Sequence, residues 1–183
     1  MNQWSRRVLR GALAVLLAAI GLAHAQPMEV RDTLPSAQLA GSSHVTFWGF
    51  DVYDAKLWVS PGFKGSEYER HAFALELTYL RGFSNEEITK RSIAEMQRQP
   101  DFPAARLKDW QQALRNAFPD VRKGDRITGI YRPGEDTVFI TNGQPTGTVR
   151  DPEFGRVFFG IWLSIHTSEP KLREALLAGV AAR

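Results

Sequence analysis

The chain has 183 residues, no cysteine, and 23 lysine and arginine residues against 20 aspartate and glutamate residues. Without cysteine it has no disulfides and no thiol chemistry. Three of the arginines, Arg6, Arg7 and Arg10, lie near the start of the chain, so the rest of the sequence is balanced in charge. This balance removes the electrostatic driving force for nucleic-acid binding, and we expect no nucleic-acid partner.

The first 25 residues have the pattern of a cleaved signal peptide. The three arginines precede an apolar run, Gly11–Leu22, which is too short to span a bilayer, and Ala23-His24-Ala25 fits a cleavage site. We therefore predict cleavage after Ala25 and a periplasmic or secreted location, with the choice between the Sec and twin-arginine routes left open. No second long apolar run follows, so residues 26–183 are predicted to form one soluble domain without stable membrane insertion.

The first part of this domain is rich in strand-forming residues. Residues 28–41 have no clear period and are interrupted by Pro35, and a short edge strand is predicted near residues 37–40. The aromatic and β-branched run Val45–Val59 predicts one long strand that is covered on both faces for part of its length. Pro61-Gly62 ends it.

The next segment changes from a strand pattern to a helical pattern. Apolar residues alternate along Phe73–Tyr79, which predicts a strand with one buried face. Ser84 followed by Glu87 forms a capping box, which predicts a helix to about Gln97. A second helix is predicted from about Pro103 to Pro119, and its apolar side holds Leu107, Trp110, Leu114, Ala117 and Phe118.

Three antiparallel strands are predicted next. Residues 127–131 form a β-rich run, and the turn at residues 132–136 contains a Pro-Gly pair. A hairpin is predicted from Val138 to Val149, because Asn142-Gly143 suits the positive φ angles of a type I′ turn.

An apolar helix is predicted after this hairpin. Asp151 can cap the helix, Pro152 suits its first position, and the charge of Glu153 complements its dipole. One broad apolar face contains Phe154, Val157, Phe158, Ile161, Trp162 and Ile165. Gly155 and Gly160 indicate the close approach of a strand or a ligand, and we favour close packing of the helix on a sheet.

The last predicted element is a helix capped by Ser168, with Leu172, Ala175 and Leu176 facing inward. The element order is strands, two helices, three strands and two helices. This order predicts a single α+β domain, in which helices cover one face of an antiparallel sheet.

Few residues suggest catalytic or metal chemistry. His44, His71 and His166 lack the spacing of a metal site, and no phosphate-binding loop, dinucleotide fingerprint or nucleophile elbow is present. We therefore predict no metal and no cofactor, while a Ser-His-Asp triad stays open because triads are spatial. Glu76 and Arg81 would need partners if buried; a structural ion pair is favoured over a role in orienting a ligand.

Five segments together resemble the chalcone isomerase family, specifically its exported bacterial chalcone isomerase-like branch. These segments are Phe50–Val59, Ala74–Ser84, Lys123–Tyr131, Thr141–Val149 and Asp151–Leu163. The resemblance implies an open-faced β-sandwich, in which a large antiparallel sheet is covered by a layer of helices with a ligand cleft between them. Plant members of the family include cofactor-independent isomerases, which close a chalcone to a flavanone, and non-catalytic relatives that bind fatty acids.

The resemblance does not extend to the catalytic residues. Val45, or His44 with a one-residue slip, falls at the position of the family's catalytic arginine, and Tyr53 falls near that of its threonine. The tyrosine and asparagine of the first long helix have no clear match, because Asn85 lies one turn away. Loss of the cation would remove about 3 kcal/mol of stabilisation from a developing enolate. The resemblance therefore supports the fold and argues against chalcone isomerase activity.

We hypothesise that the protein is non-catalytic and holds an apolar or amphipathic, fatty-acid-like molecule between sheet and helices. A first alternative is a cofactor-independent isomerase of chalcone type that uses Arg81, Tyr53 or Tyr79 as substitute catalytic residues. A second is an interaction module whose cleft is filled by side chains. The ligand identity and the oligomeric state stay open. The candidate ligand-binding residues are Trp48, Tyr53, Tyr79, Arg81, Phe158 and Trp162.

Overall fold

The computed structural model describes residues 25–181, which contain a six-stranded antiparallel sheet and five α-helices. The strands are β1 (Gln38–Phe47), β2 (Phe50–Val59), β3 (Phe73–Tyr79), β4 (Arg126–Tyr131), β5 (Thr137–Thr141) and β6 (Gln144–Val149). The helices are α1 (Met28–Thr33), α2 (Asn85–Met96), α3 (Leu107–Ala117), α4 (Pro152–Leu163) and α5 (Pro170–Ala181). Apart from Ala25, the predicted signal peptide lies outside the described residues.

The strands lie in the sheet in the same order as in the chain, from β1 to β6. The predicted β3 and the predicted hairpin around Asn142-Gly143 are confirmed. Asn142 and Gly143 have φ angles of 51° and 81°, the positive values that a type I′ turn requires. The α+β class and the antiparallel sheet are therefore as the sequence predicts.

The prediction of one long strand over Val45–Val59 is wrong. Phe47 pairs with Phe50, and the chain reverses at Trp48-Gly49, whose φ angles of 53° and 79° match those of the other hairpin. The alternation of residues hid this turn because tryptophan is not a turn-forming residue. The short edge strand predicted near residues 37–40 is instead the start of the ten-residue β1. The β1–β2 ladder contains two register shifts, at Leu39/Gly41 and at Val45/Thr46.

The helical layer covers one face of the sheet. Phe154, Phe158 and Trp162 of α4 are all buried in the core beneath this layer, as the periodicity predicts. Asp151 accepts a hydrogen bond from the backbone N–H of Glu153, which confirms the predicted cap. A Cβ atom at Gly155 would lie 2.6 Å from Thr137 Oγ1, so this glycine allows α4 to pack closely on the sheet.

The opposite face of the sheet is partly covered by α1, which the sequence pattern did not predict. Val30 and Leu34 pack there with Trp58, Ala74, Ile130 and other apolar residues. The carboxylate of Glu29 accepts hydrogen bonds from Arg126 Nη2 at 2.8 Å and from Thr128 Oγ1 at 3.0 Å. A six-residue helix is too short to show a helical period, and these tertiary contacts hold it in place.

The two predicted serine caps have different outcomes. Ser84 and Glu87 form the predicted capping box at the start of α2. Ser168 is not at the cap position, because α5 begins at Pro170, and its Oγ donates a hydrogen bond to Glu95 Oε2 at 2.8 Å. Among residues 25–181, no helix is long and apolar enough to cross a bilayer.

Candidate functional site

A cavity of about 560 Å³ lies between the sheet and helices α2 and α4. This volume is within the range of small-molecule binding pockets. The interior is mainly apolar, and its walls include Leu75, Leu77, Ile88, Ile127, Phe139, Phe158, Ile161 and Trp162. Side chains therefore do not fill the cleft, which argues against the interaction module with a filled cleft.

The cavity opens beside the tip of the β1–β2 hairpin. The exposed residues in its lining include Phe47, Trp48 and Phe50 at this tip, together with Arg81 after β3 and Arg91 on α2. Trp48 therefore lies at the mouth of the cavity rather than inside it. Phe158 and Trp162 belong to the buried wall.

Tyr53 and Tyr79 bring two hydroxyl groups to the cavity. Their rings make an edge contact with centroids 6.2 Å apart. Tyr53 Oη accepts a hydrogen bond from Trp162 Nε1 at 3.1 Å. The hydroxyl of Tyr79, which is 5% exposed as a residue, has no hydrogen-bond partner within the described part of the chain. It is therefore available to donate to a ligand.

Both tyrosines are neutral at physiological pH. Burial raises the pKa of Tyr53 to about 12, against an ordinary value of 10.0. Burial also raises the pKa of Tyr79. The cavity wall therefore presents neutral hydrogen-bond donors rather than phenolates.

Charged side chains of both signs lie at the mouth, where Arg81 and Arg91 accompany the exposed carboxylates of Glu87 and Glu169. The Arg81 guanidinium lies 5.6 Å from the centre of the Phe50 ring and 5.4 Å from that of Phe83. The Arg91 guanidinium lies 5.5 Å from the centre of the Phe47 ring. Both arginines are exposed, so they can meet a polar head group at the entrance while an apolar chain occupies the interior.

The predicted interaction between Glu76 and Arg81 is wrong. Glu76 points to the face of the sheet opposite the cavity, where it accepts a hydrogen bond from Trp58 Nε1 at 2.9 Å and lies 3.9 Å from Lys56 Nζ. Arg81 lies two residues beyond the end of β3 and lines the cavity, on the other side of the sheet. The favoured structural role of Glu76 therefore holds, with different partners.

Sequence reasoning missed a polar cluster on α2. Glu95 is buried, lines the cavity, pairs with Arg91 Nη2 at 2.8 Å, and lies 3.6 Å from Arg98 Nε. Ser168 donates the hydrogen bond described above to the same carboxylate. The spacing of Arg91 and Glu95 on one helix face could have indicated their pairing, but only the fold brings Ser168 to them.

The residues at the positions of the family's catalytic groups have other contacts. Val45 lines the cavity and supplies no charge there. His44 is exposed, 2.9 Å from Asp51 Oδ1 and 2.7 Å from Asp54 Oδ1. The side-chain amide of Asn85 donates hydrogen bonds to the carbonyl groups of Arg115 and Phe118, so it joins α2 to the end of α3.

No group of three metal-ligating side chains occurs in the portion of the chain covered by the structure.

The observed antiparallel sheet, its helical layer and the cavity between them define an open-faced β-sandwich. Residues 21–178 match the sequence model of a family described as chalcone isomerase-like. The match covers most of the chain, so this protein belongs to the chalcone isomerase-like family.

A solved structure with the same fold is that of a fatty-acid binding protein from Arabidopsis thaliana. The TM-score is 0.60 at 13% sequence identity, and the alignment covers 80% of this chain and 89% of that chain. At this identity the similarity establishes the fold. No protein with a curated description matches the sequence.

Proposed function

We propose that this protein binds an amphipathic molecule with an acyl-like chain and an anionic head group, without chemically changing it. The observation that carries the proposal is the largely apolar cavity of about 560 Å³ with two exposed arginines at its mouth. Each methylene group that enters such a cavity contributes about 0.8 kcal/mol. The chain would therefore supply most of the affinity, and the head group would set its orientation.

The mouth suits a carboxylate head group. A guanidinium can donate two parallel hydrogen bonds to a carboxylate, and Arg81 makes no ion pair within residues 25–181. Arg91 already pairs with Glu95, so a ligand carboxylate would share or replace that contact. The name of the Arabidopsis thaliana protein also supports a fatty acid as the ligand.

The second candidate function is the cofactor-independent cyclisation of a chalcone. The neutral hydroxyl groups of Tyr53 and Tyr79 favour it, because they could donate hydrogen bonds to an enolate oxygen. Val45 argues against it, because the wall at this position carries no cation. The arginines that line the cavity are at its exposed mouth, where solvent weakens their electrostatic effect.

We also propose that the protein acts after export. The N-terminal pattern of residues 1–25 supports a periplasmic or secreted location. Detection of the N-terminus of the mature protein at Gln26 in a periplasmic fraction would support this location. Retention of residues 1–25 in a cytosolic protein would contradict it.

Binding is tested with protein of residues 26–183, which include the whole described core. The protein is stripped of lipid by refolding and then titrated with palmitate, with hexadecanol and with a fluorescent acyl probe. We expect saturable binding, with palmitate preferred over the alcohol. Absence of saturable binding to any of these ligands would refute the proposal.

A pair of variants on α2 locates the ligand. Ile88 lines the cavity, and Ile88→Trp is expected to fill it and to weaken acyl-probe binding by more than tenfold. Ala94 is exposed on the same helix and does not line the cavity, so Ala94→Trp is the matched control and should bind as the wild type. Equal binding by both variants would place the ligand elsewhere.

The role of the arginines is tested through head-group preference. The double variant Arg81→Gln/Arg91→Gln is expected to lose the preference for palmitate over hexadecanol, by roughly tenfold if each exposed charge contributes somewhat less than 1 kcal/mol. Lys108→Gln removes an exposed charge from α3, away from the mouth, and serves as the control. An unchanged preference in the double variant would show that the head group lies elsewhere.

A further inference from the structure

The tip of the β1–β2 hairpin exposes three adjacent aromatic side chains to solvent. Phe47 is 52% exposed, Trp48 is 85% exposed and Phe50 is 64% exposed. Phe47 and Phe50 pair across the turn, and the Phe47 and Trp48 ring centroids are 6.1 Å apart. A contiguous exposed apolar patch of this kind marks an interaction surface more often than single exposed residues do.

The backbone at this tip favours a different residue from the one present. Trp48 has a φ angle of 53°, in the left-handed region that large side chains rarely adopt. Asn142 has a φ angle of 51° at the same position of the other two-residue hairpin, and asparagine is among the residues preferred there. The tip therefore carries an indole at a position where asparagine would fit the turn better, which indicates a use for the indole itself.

Positive charge borders the aromatic tip. The guanidinium groups of Arg81 and Arg91 lie over the Phe50 and Phe47 rings at 5.6 Å and 5.5 Å from their centres. Lys90, the residue before Arg91 on α2, is also exposed. This surface combines an indole, two phenyl rings and cations.

Carboxylates also lie near this surface, Asp51 beside the tip and Glu87, Glu95 and Glu169 in the cavity lining. Asp51 lies 2.9 Å from His44 Nε2. Glu87 accepts a hydrogen bond from the Ser84 backbone N–H at 2.7 Å in the capping box of α2. Glu95 pairs with Arg91 Nη2 at 2.8 Å, whereas Arg81 and Lys90 make no ion pair within residues 25–181. The charge of Arg91 is therefore compensated inside the protein, and Arg81 and Lys90 are the cations that an anionic partner can approach.

We propose that the hairpin tip docks on a lipid bilayer that contains anionic lipids. Tryptophan residues favour the head-group level of a bilayer, and arginine residues next to them are attracted to lipid phosphates. A second copy of the chain is a less suitable occupant, because two-fold pairing of the tips would bring Arg81 and Arg91 of both copies together. Docking places the mouth of the cavity against the lipid surface, and it does not depend on what the cavity binds.

The intrinsic fluorescence of the protein reports on this docking directly. In protein of residues 26–183 the other tryptophans, Trp58, Trp110 and Trp162, are buried, so Trp48 is the exposed indole. Trp162 lines the cavity, and its contribution is the part of the response that Trp48→Asn retains. The probes are vesicles of phosphatidylcholine alone and vesicles with added phosphatidylglycerol. We expect a blue shift and quenching by brominated lipid with the anionic vesicles, and a weaker response at high salt.

Three variants separate docking from other causes. Trp48→Asn keeps a residue suited to the turn and is expected to bind anionic vesicles at least tenfold more weakly in a sedimentation assay. Arg81→Gln/Arg91→Gln is expected to bind roughly tenfold more weakly and to lose most of the salt dependence. Met28→Asn removes an exposed apolar side chain of α1 on the opposite side of the sheet and should bind as the wild type.

Four results would overturn the proposal. Three concern vesicle binding: the wild type does not bind anionic vesicles, Trp48→Asn binds them as well as the wild type, or Trp48→Asn and Met28→Asn lose binding equally. The fourth is a concentration-dependent dimer that light scattering detects without lipid and that Trp48→Asn abolishes. The last result would assign the tip to a second copy of the chain. Thermal unfolding checks that each variant is folded.

Discussion

The two tyrosines of the cavity wall provide a matched pair for testing the site. Tyr53 accepts a hydrogen bond from Trp162 Nε1, whereas the Tyr79 hydroxyl has no partner among residues 25–181. Tyr53→Phe therefore leaves a largely buried indole N–H without an acceptor, and Tyr79→Phe removes a group that makes no hydrogen bond in the protein. The two variants are expected to differ in stability although each loses one oxygen atom.

The expected size of the difference follows from the cost of an unsatisfied buried donor. Such a donor costs about 1–3 kcal/mol, and access of water through the cavity favours the lower half of that range for Tyr53→Phe. For a domain of this size the corresponding decrease in Tm is on the order of 5 °C. Tyr79→Phe is expected to change the free energy of unfolding by less than about 0.5 kcal/mol.

Thermal and urea unfolding followed by circular dichroism measure these differences. A double-mutant cycle with Trp162→Phe isolates the hydrogen bond, with an expected coupling of about 1 kcal/mol. Equal stability losses in the two tyrosine variants, or zero coupling in the cycle, would refute the assigned hydrogen bonding. Tyr79→Phe is expected to weaken the binding of a ligand with an oxygen inside the cavity by roughly fivefold.

Four further outcomes are expected. Gly155→Ala should lower the free energy of unfolding by about 2 kcal/mol, because the added Cβ would overlap Thr137. This cost exceeds the gain from alanine's better helix propensity. A variant that is more stable than the wild type in urea unfolding would contradict the packing of α4. Trp48→Asn should raise the free energy of unfolding by about 1 kcal/mol in the same assay, because asparagine adopts the left-handed conformation of this turn more easily than tryptophan. A large decrease in the free energy of unfolding would show that the indole supports the fold. Hydrogen bonds to Asp51 and Asp54 raise the pKa of His44 above its ordinary value of 6.5. The stabilisation that these bonds give the fold should therefore be complete below pH 6.5 and should decrease as the pH rises through the raised pKa. His44→Asn should remove this pH dependence from the free energy of unfolding, measured by unfolding curves across pH. Absorbance traces with a chalcone should show no cyclisation faster than in buffer, and a clear acceleration that Tyr53→Phe abolishes would favour the isomerase alternative.

The sequence predicted those elements whose signals are local. The Asn142-Gly143 turn and the start of α4 at Asp151 each depend on residues within a few positions, and the structure contains both. The Trp48-Gly49 turn has the same backbone geometry but lacks a turn-forming residue at its first position, so the alternation of apolar residues extended through it. Helix α1 was missed because contacts with Arg126 and Thr128, about a hundred residues away, hold it.

The candidate site could be predicted only in part for the same reason. Tyr53 and Trp162 were both proposed as ligand contacts, but their hydrogen bond joins β2 to α4 and has no signature in either segment. The nearness of Glu76 and Arg81 in sequence suggests an ion pair, although Arg81 lies beyond the end of β3, on the cavity side of the sheet. The cluster around Glu95 contains contributions from α2 and from the segment before α5, which only the tertiary fold brings together.

β1 is an edge strand of the sheet, and this position affects how a ligand enters the cavity. β1 forms a ladder with β2 alone, and its two register shifts interrupt that ladder on either side of its middle. The pairing of β2 with β3 begins at Tyr53, and Ala40 and Gly41 of β1 pack against the backbone of α5. The tip of this hairpin, beyond the shift at Val45/Thr46, can therefore bend away from α2 while the rest of the hairpin stays in place. We expect the rate of ligand entry to follow the bending of this hairpin rather than any opening of the helical layer.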